Sequence, residues 1–220
     1  MSPADKTIQV LLVGVGGQGV LTATKMLGNA THAAGLDLSI GQLHGMSQRG
    51  GSVQCTVKIG RAASSYIIGD AADIVVAFEP LELIRALPLI DKKTRVVANS
   101  GTIMPHLLVQ RGAPYPSLSR LFGDIRAAAA ELVVIDGPTL IDEVGVKRTL
   151  NVLMLGALAS LAALPLGEEL WRSIEKKSPA RFVEANRRAF CLGRDQAKSH
   201  SLPAVGATNE RTIGVENENG

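Results

Sequence analysis

The sequence predicts an α/β fold: a mainly parallel sheet with helices on both faces, followed by a helical last third. Three observations predict it. Short aliphatic runs recur along the first 135 positions, several of them continuous rather than alternating, as strands buried on both faces require. Segments of helical period lie between them. The first run ends in a glycine-rich turn that leads straight into a helix.

Taken in order, Ile8 to Val13 is an unbroken aliphatic strand that stops at Gly14-Val15-Gly16-Gly17-Gln18-Gly19. Val20, Leu21, Met26 and Leu27 then recur at helical spacing, and Gly35 is placed to close that helix. Leu36 to Ile40 reads as the second strand. Ser52 to Ile59 alternates at Val53, Cys55 and Val57 and reads as the third. Asp73 to Phe78 is a further buried strand. Pro80 suits the first turn of a helix over Leu81 to Ile90. Thr94 to Asn99 and Leu132 to Ile135 complete the strands. Asn151 is read as the cap of a helix that is apolar all round, which must lie deep in the core or be covered by another subunit. Ser178-Pro179 starts a last helix with Phe182, Val183, Ala189 and Phe190 on one side. From Ser199 onward Ser, Asn, Gly and Glu dominate, so 199–220 reads as a disordered polar tail.

Composition narrows the function classes. The chain has 220 residues, 46% hydrophobic and only 3% aromatic, so its core is aliphatic and it lacks a stacking platform for single-stranded nucleic acid. The net charge of +3 is mild, but eight Lys and Arg stand against three acids between Arg172 and Lys198. That stretch is a solvated helix face or a surface for an acidic partner. The most apolar run, Val152 to Leu164, has 13 residues, whereas a membrane span needs about 20. Cys55 and Cys191 lie outside any CxxC pattern, and an iron–sulfur cluster wants about four thiolates. They read as reduced thiols of a cytoplasmic protein.

Two segments could carry chemistry. Gly14, Gly16 and Gly19 match G-x-G-x-x-G in the strand–turn–helix context that the motif needs. Gly14 would permit the turn, Gly16 would let a ligand approach the backbone, and Gly19 would let helix and strand pack. Free N–H groups at the helix start favour a phosphate. The ribose-binding acid of a dinucleotide site is missing, because the second strand runs out at Gly41-Gln42-Leu43-His44. The second segment, His44-Gly45-Met46-Ser47-Gln48-Arg49-Gly50-Gly51-Ser52, leaves the same sheet edge. It offers a titratable His, an Arg suited to phosphate or carboxylate, and two glycines. Glu79 reads as a helix-start carboxylate. His32, His106 and His200 have no metal-ligand partner at useful spacing, and there is no nucleophile elbow, HExxH or P-loop lysine. On these residues alone, a Rossmann-like nucleotide binder and a structural assembly module both remain open.

Gly16-Gly17-Gln18-Gly19, the His44–Ser52 loop and Ala77-Phe78-Glu79-Pro80 together resemble the gamma-type domain of the 2-oxoacid:ferredoxin oxidoreductases. The His-Gly-Met-x-Gln-Arg-Gly-Gly form of the loop is most like the small (beta) subunits of the indolepyruvate branch. The resemblance runs from Ile8 to Gln196. It makes 1–198 one gamma-type domain, with 147–198 as its helical part. It implies a non-catalytic subunit of an enzyme that oxidatively decarboxylates 2-oxoacids to acyl-CoA and reduces ferredoxin. Thiamine diphosphate, magnesium and [4Fe–4S] clusters would belong to a larger alpha subunit, in a hetero-oligomer such as α2β2. Coenzyme A would be the co-substrate, near Gly14, Gly16, Gly17, Gln18 and Gly19 and near His44, Gln48, Arg49, Gly50 and Gly51.

Overall fold

A computed structural model of the chain describes residues 7–44, 50–161, 163–199 and 202–203. Four strands run parallel as neighbours: β1 (Ile8–Val15), β4 (Ile74–Ala77), β5 (Arg95–Asn99) and β6 (Glu131–Ile135). Beyond β1 the sheet turns antiparallel. β3 (Ser52–Ile59) lies against β1, β2 (Leu38–His44) lies outside β3, and a short β7 (Leu202–Pro203) lies outside β6, giving the order β2-β3-β1-β4-β5-β6-β7. The parallel ladder predicted from the aliphatic runs is therefore the centre of the sheet, with a hairpin on one flank. The second strand starts later and ends later than the sequence suggests, at His44 rather than Ile40.

Continuous apolar strands sit where both faces are covered. Val10 and Leu12 join one core, while Leu11 and Val13 join the other, because successive side chains of a strand point to opposite faces. The first core is covered by α1 (Val20–Ala33), α6 (Leu150–Ala159), α7 (Gly167–Lys177) and α8 (Ala180–Ser199). The second is covered by α2 (Pro80–Arg85) and α4 (Leu118–Ala128). Two shorter helices, α3 (His106–Gln110) and α5 (Gly137–Val144), flank the strand ends. The predicted helix over Leu81–Ile90 breaks after α2 into a 3-10 turn at Leu87–Leu89. His106 opens α3.

The apolar helix is α6, and the chain itself encloses it: Asn151 to Leu158 are all buried. The second covering, by another subunit, is not needed. α8 lies so close that a Cβ on Gly156 would stand 2.1 Å from the Phe190 carbonyl oxygen, and one on Gly193 would stand 2.0 Å from that of Leu153. A glycine on each helix, set against the backbone of the other, permits this close approach. Asn151 is inside this helix; Thr149 is its N-cap.

Four of the eight cations in the basic stretch are ion-paired, Arg194 with Asp195 among them. Arg172 meets Glu168, Arg187 meets Glu175, and Arg188 meets Glu143. α8 runs to Ser199, and Leu202–Pro203 (β7) pairs antiparallel with β6, so the tail reading begins too early. Residues 204–220 lie outside the described residues. No described helix is long and apolar enough to cross a membrane.

Candidate functional site

The ends of β1, β2, β4, β5 and β6 share one edge of the sheet, the edge where open α/β sheets take ligands. The glycine turn is there, but its residues do different work from that predicted. Gly14 lies within β1 at a negative φ. A Cβ on it would lie 2.8 Å from Phe78 Cβ and from Val20 Cγ2, and 2.9 Å from Gln18 Oε1. Close packing requires this glycine. The left-handed backbone is at Gly17 (φ 107°) and Gly19 (φ 85°).

Gly16 does not present its N–H to a ligand. That N–H donates to the Gly51 carbonyl at 2.8 Å, and the Gly50 N–H donates back to the Gly16 carbonyl at 3.3 Å. This reciprocal pair extends the β1–β3 ladder past its last register pair and ties the two predicted segments together. Gln18 is structural as well. Its Oε1 accepts from the Val15 N–H at 2.8 Å and its Nε2 donates to the Phe78 carbonyl at 2.8 Å. The side chain thus bridges the ends of β1 and β4. Gly19 packs against α6 rather than against a strand, its Cβ position being 3.2 Å from Asn151 Cβ.

His44 ends β2. Its register partner Val53 is also the partner of Gly14, so the loop begins two strand spacings from the turn, about 10 Å. Gln48 and Arg49 lie outside the described residues.

Next to the turn, a cleft of about 760 Å³ opens between the start of α1, the ends of β5 and β6, and the 3-10 turn Lys147–Thr149. Lys147, Arg148 and Asn151 line it, and the sequence reading did not select them. The available signal was a basic pair placed just before an apolar helix. Asn99 holds the far wall: its Nδ2 donates to the Phe78 carbonyl at 2.9 Å, and its Oδ1 accepts from the Gly101 N–H at 3.1 Å. A Cβ on Gly137 would fall 2.2 Å from Asn99 Oδ1, so a glycine is needed there too.

Glu79, 1% exposed, is the N-cap of α2, accepting from the N–H groups of Leu81 (2.7 Å) and Glu82 (3.1 Å). Its other oxygen accepts from the Ile103 N–H at 3.2 Å and the Tyr115 hydroxyl at 2.6 Å. The carboxyl group therefore also fastens the segment that carries the cleft wall. Burial, reinforced by the Glu79 carboxyl, raises the Tyr115 phenol well above its usual value. Glu82, also buried, takes the Ser52 hydroxyl at 2.5 Å and the Arg85 guanidinium at 2.7 Å.

The thiols do not fit a cluster. Cys55 is buried in β3, where desolvation raises its pKa, and Cys191 is half-buried on α8. Among the described residues no group of three or more His, Cys, Asp or Glu could hold a metal ion.

Residues 9–196 match the pyruvate ferredoxin/flavodoxin oxidoreductase family. The chain belongs to this family. Among its relatives, the indolepyruvate oxidoreductase subunit IorB of Methanothermobacter thermautotrophicus is 35% identical over 82% of this chain and 93% of its own length. The IorB subunit of Archaeoglobus fulgidus is 32% identical over 90% of this chain and 99% of its own. The fold agrees. The gamma subunit of the keto/oxoacid ferredoxin oxidoreductase of Geobacter sulfurreducens superposes with a TM-score of 0.67 at 19% identity, covering 90% of this chain and 99% of that one. The 2-oxoglutarate:ferredoxin oxidoreductase of Magnetococcus marinus superposes equally well, with a TM-score of 0.67 at 21% identity. There this chain covers only 32% of a longer polypeptide, so the same fold occurs both as a separate gamma subunit and within a larger chain.

Proposed function

We propose that the chain is the small subunit of an indolepyruvate (aryl pyruvate) ferredoxin oxidoreductase, inert alone. The observation that carries this is similarity to IorB subunits over 82% and 90% of the chain and 93% and 99% of their length, in a chain whose two cysteines fall short of the roughly four thiolates that a [4Fe–4S] cluster wants. Thiamine diphosphate, magnesium and the [4Fe–4S] clusters are assigned to a larger alpha subunit, in an assembly such as α2β2. The free cysteines agree with the reducing cytoplasm. Coenzyme A is read as reaching the complex at the sheet edge that carries Gly17, Gly19 and the loop with His44, Gln48 and Arg49. In that reading Gly14, Gly16, Gln18, Gly50 and Gly51 shape the edge rather than touch the ligand.

The test is ferredoxin reduction by indolepyruvate plus coenzyme A, with this chain alone, with the alpha subunit alone, and with both. Turnover is expected only from the complex. Turnover by this chain alone, or an alpha subunit that neither binds it nor gains activity from it, would overturn the reading.

A further inference from the structure

Ile103 (38%), Met104 (45%), Leu107 (55%) and Val109 (61%) are exposed within seven consecutive positions. No other seven consecutive described positions expose as many large apolar side chains. The helix α3, which carries Leu107 and Val109, buries none of its residues. A single exposed leucine is ordinary, but a contiguous apolar cluster marks a surface that something covers.

The cluster is held in place. Glu79 Oε1 accepts from the Ile103 N–H at 3.2 Å and from the Tyr115 hydroxyl at 2.6 Å, so one buried carboxyl group pins both ends of the 103–115 segment. A five-residue helix does not hold itself by its own hydrogen bonds. The two anchors fix it while leaving its apolar side chains outside. Order that exists before docking removes a cost that association would otherwise carry.

Charge selects the occupant. Between Asp91 and Asp124 the sequence has no acid, but it has Lys92, Lys93, Arg95, Arg111 and Arg120. Arg111 follows α3 directly and Arg120 lies on α4. Both are exposed and form no ion pair among the described residues. A second copy docked through this surface by two-fold symmetry would set the same cations against each other. A different protein, with carboxylates around an apolar hollow, has the complementary charge.

We propose that α3 and its flanks dock the larger alpha subunit, with Met104, Leu107 and Val109 entering an apolar hollow and Arg111 and Arg120 meeting carboxylates at its rim. The proposal rests on the subunit reading above.

Calorimetric titration of the full-length chain into the alpha subunit tests it. Leu107→Asp and Val109→Asp change exposed side chains, so the isolated variants should keep the wild-type Tm. Each should weaken binding on the order of 30-fold or more, equivalent to about 2 kcal/mol, as loss of a central interface residue does. Arg111→Glu should weaken binding too, by a factor that shrinks as salt rises. Ile68→Asp, at an exposed apolar position outside this segment, should bind as the wild type does. Equal losses at Ile68 and Leu107 overturn the assignment to α3. Unchanged affinity in the folded Leu107 and Val109 variants overturns the docking surface and leaves the subunit reading standing. An alpha subunit that does not bind the wild-type chain overturns both. A lowered Tm of the isolated variants would show that the chain itself covers α3, and loss of a homodimer in sedimentation would show that a second copy does; either result overturns the proposal.

Discussion

Gln18 bridges two strand ends with one amide, and its Oε1, together with Phe78 and Val20, leaves no room for a side chain on Gly14. Gln18→Ala would leave the Val15 N–H and the Phe78 carbonyl without these partners, at a cost of about 1–3 kcal/mol. A lowered urea midpoint with an unchanged slope is the expected reading; an unchanged midpoint would mean that water replaces the amide freely. Gly14→Ala forces a methyl group against Phe78, Val20 and Gln18, and overpacking of this kind costs about 1–3 kcal/mol. Tyr115 makes a pH prediction. Its phenol has a folded pKa above its ordinary value of 10.0, so the folded chain keeps a proton that the unfolded chain releases. The associated stability is complete below pH about 10 and is lost as pH rises from there toward the folded pKa. Denaturation midpoints of wild type and Tyr115→Phe should converge as pH rises above 10. Parallel curves would contradict the raised pKa.

At the scale of elements, the contact between α6 and α8 decides whether the helical third holds to the sheet. Gly156 and Gly193 each meet a carbonyl oxygen of the facing helix with no room for a methyl group. Gly156→Ala or Gly193→Ala must push the helices apart along a buried seam, so we expect a loss of several kcal/mol, above the ordinary overpacking range of about 1–3 kcal/mol. Thermal denaturation of the isolated chain is the measurement, and a Tm unchanged within error would show that the helices slide apart without strain. Leu155→Asp or Leu158→Asp is expected to unfold the isolated chain, since each puts a charge into a fully buried site of α6. Loss of assembly with the monomer still folded would instead point to an intersubunit role.

At the scale of the whole molecule, strands β1, β3, β4, β5 and β6 share one core with α1, α6, α7 and α8. The strands therefore have no separate core on that face. A chain ending at Val146 would uncover Val97, Val133 and Ile135, on the strands that α6 and α8 pack against, and is expected to lack a cooperative unfolding transition, whereas the full chain should show one. Protected amides in the truncated chain would establish that the sheet folds without its helical third.

The central strands, the turn after β1 and the sheet edge at which the strand ends gather were legible in the sequence. A run such as Ile8–Val13 or Asp73–Phe78 reports its own burial, and strand-then-helix order fixes which strand ends share an edge. The resemblance carried by the glycine turn and the His44–Ser52 loop was legible for a similar reason, since its residues are close in sequence. What covers an element is not written in its period. Uniform apolarity marked α6 as buried, but only packing showed that α8 of the same chain covers it. Strand order was likewise tertiary: β3 lies between β1 and β2, and that insertion sets Gly50 and Gly51 against Gly16 and occupies an N–H that a motif would assign to a ligand. Asn151, Lys147 and Arg148 join Gly17 and Gly19 across about 130 residues of chain, a juxtaposition that long-range packing creates and no local spacing records.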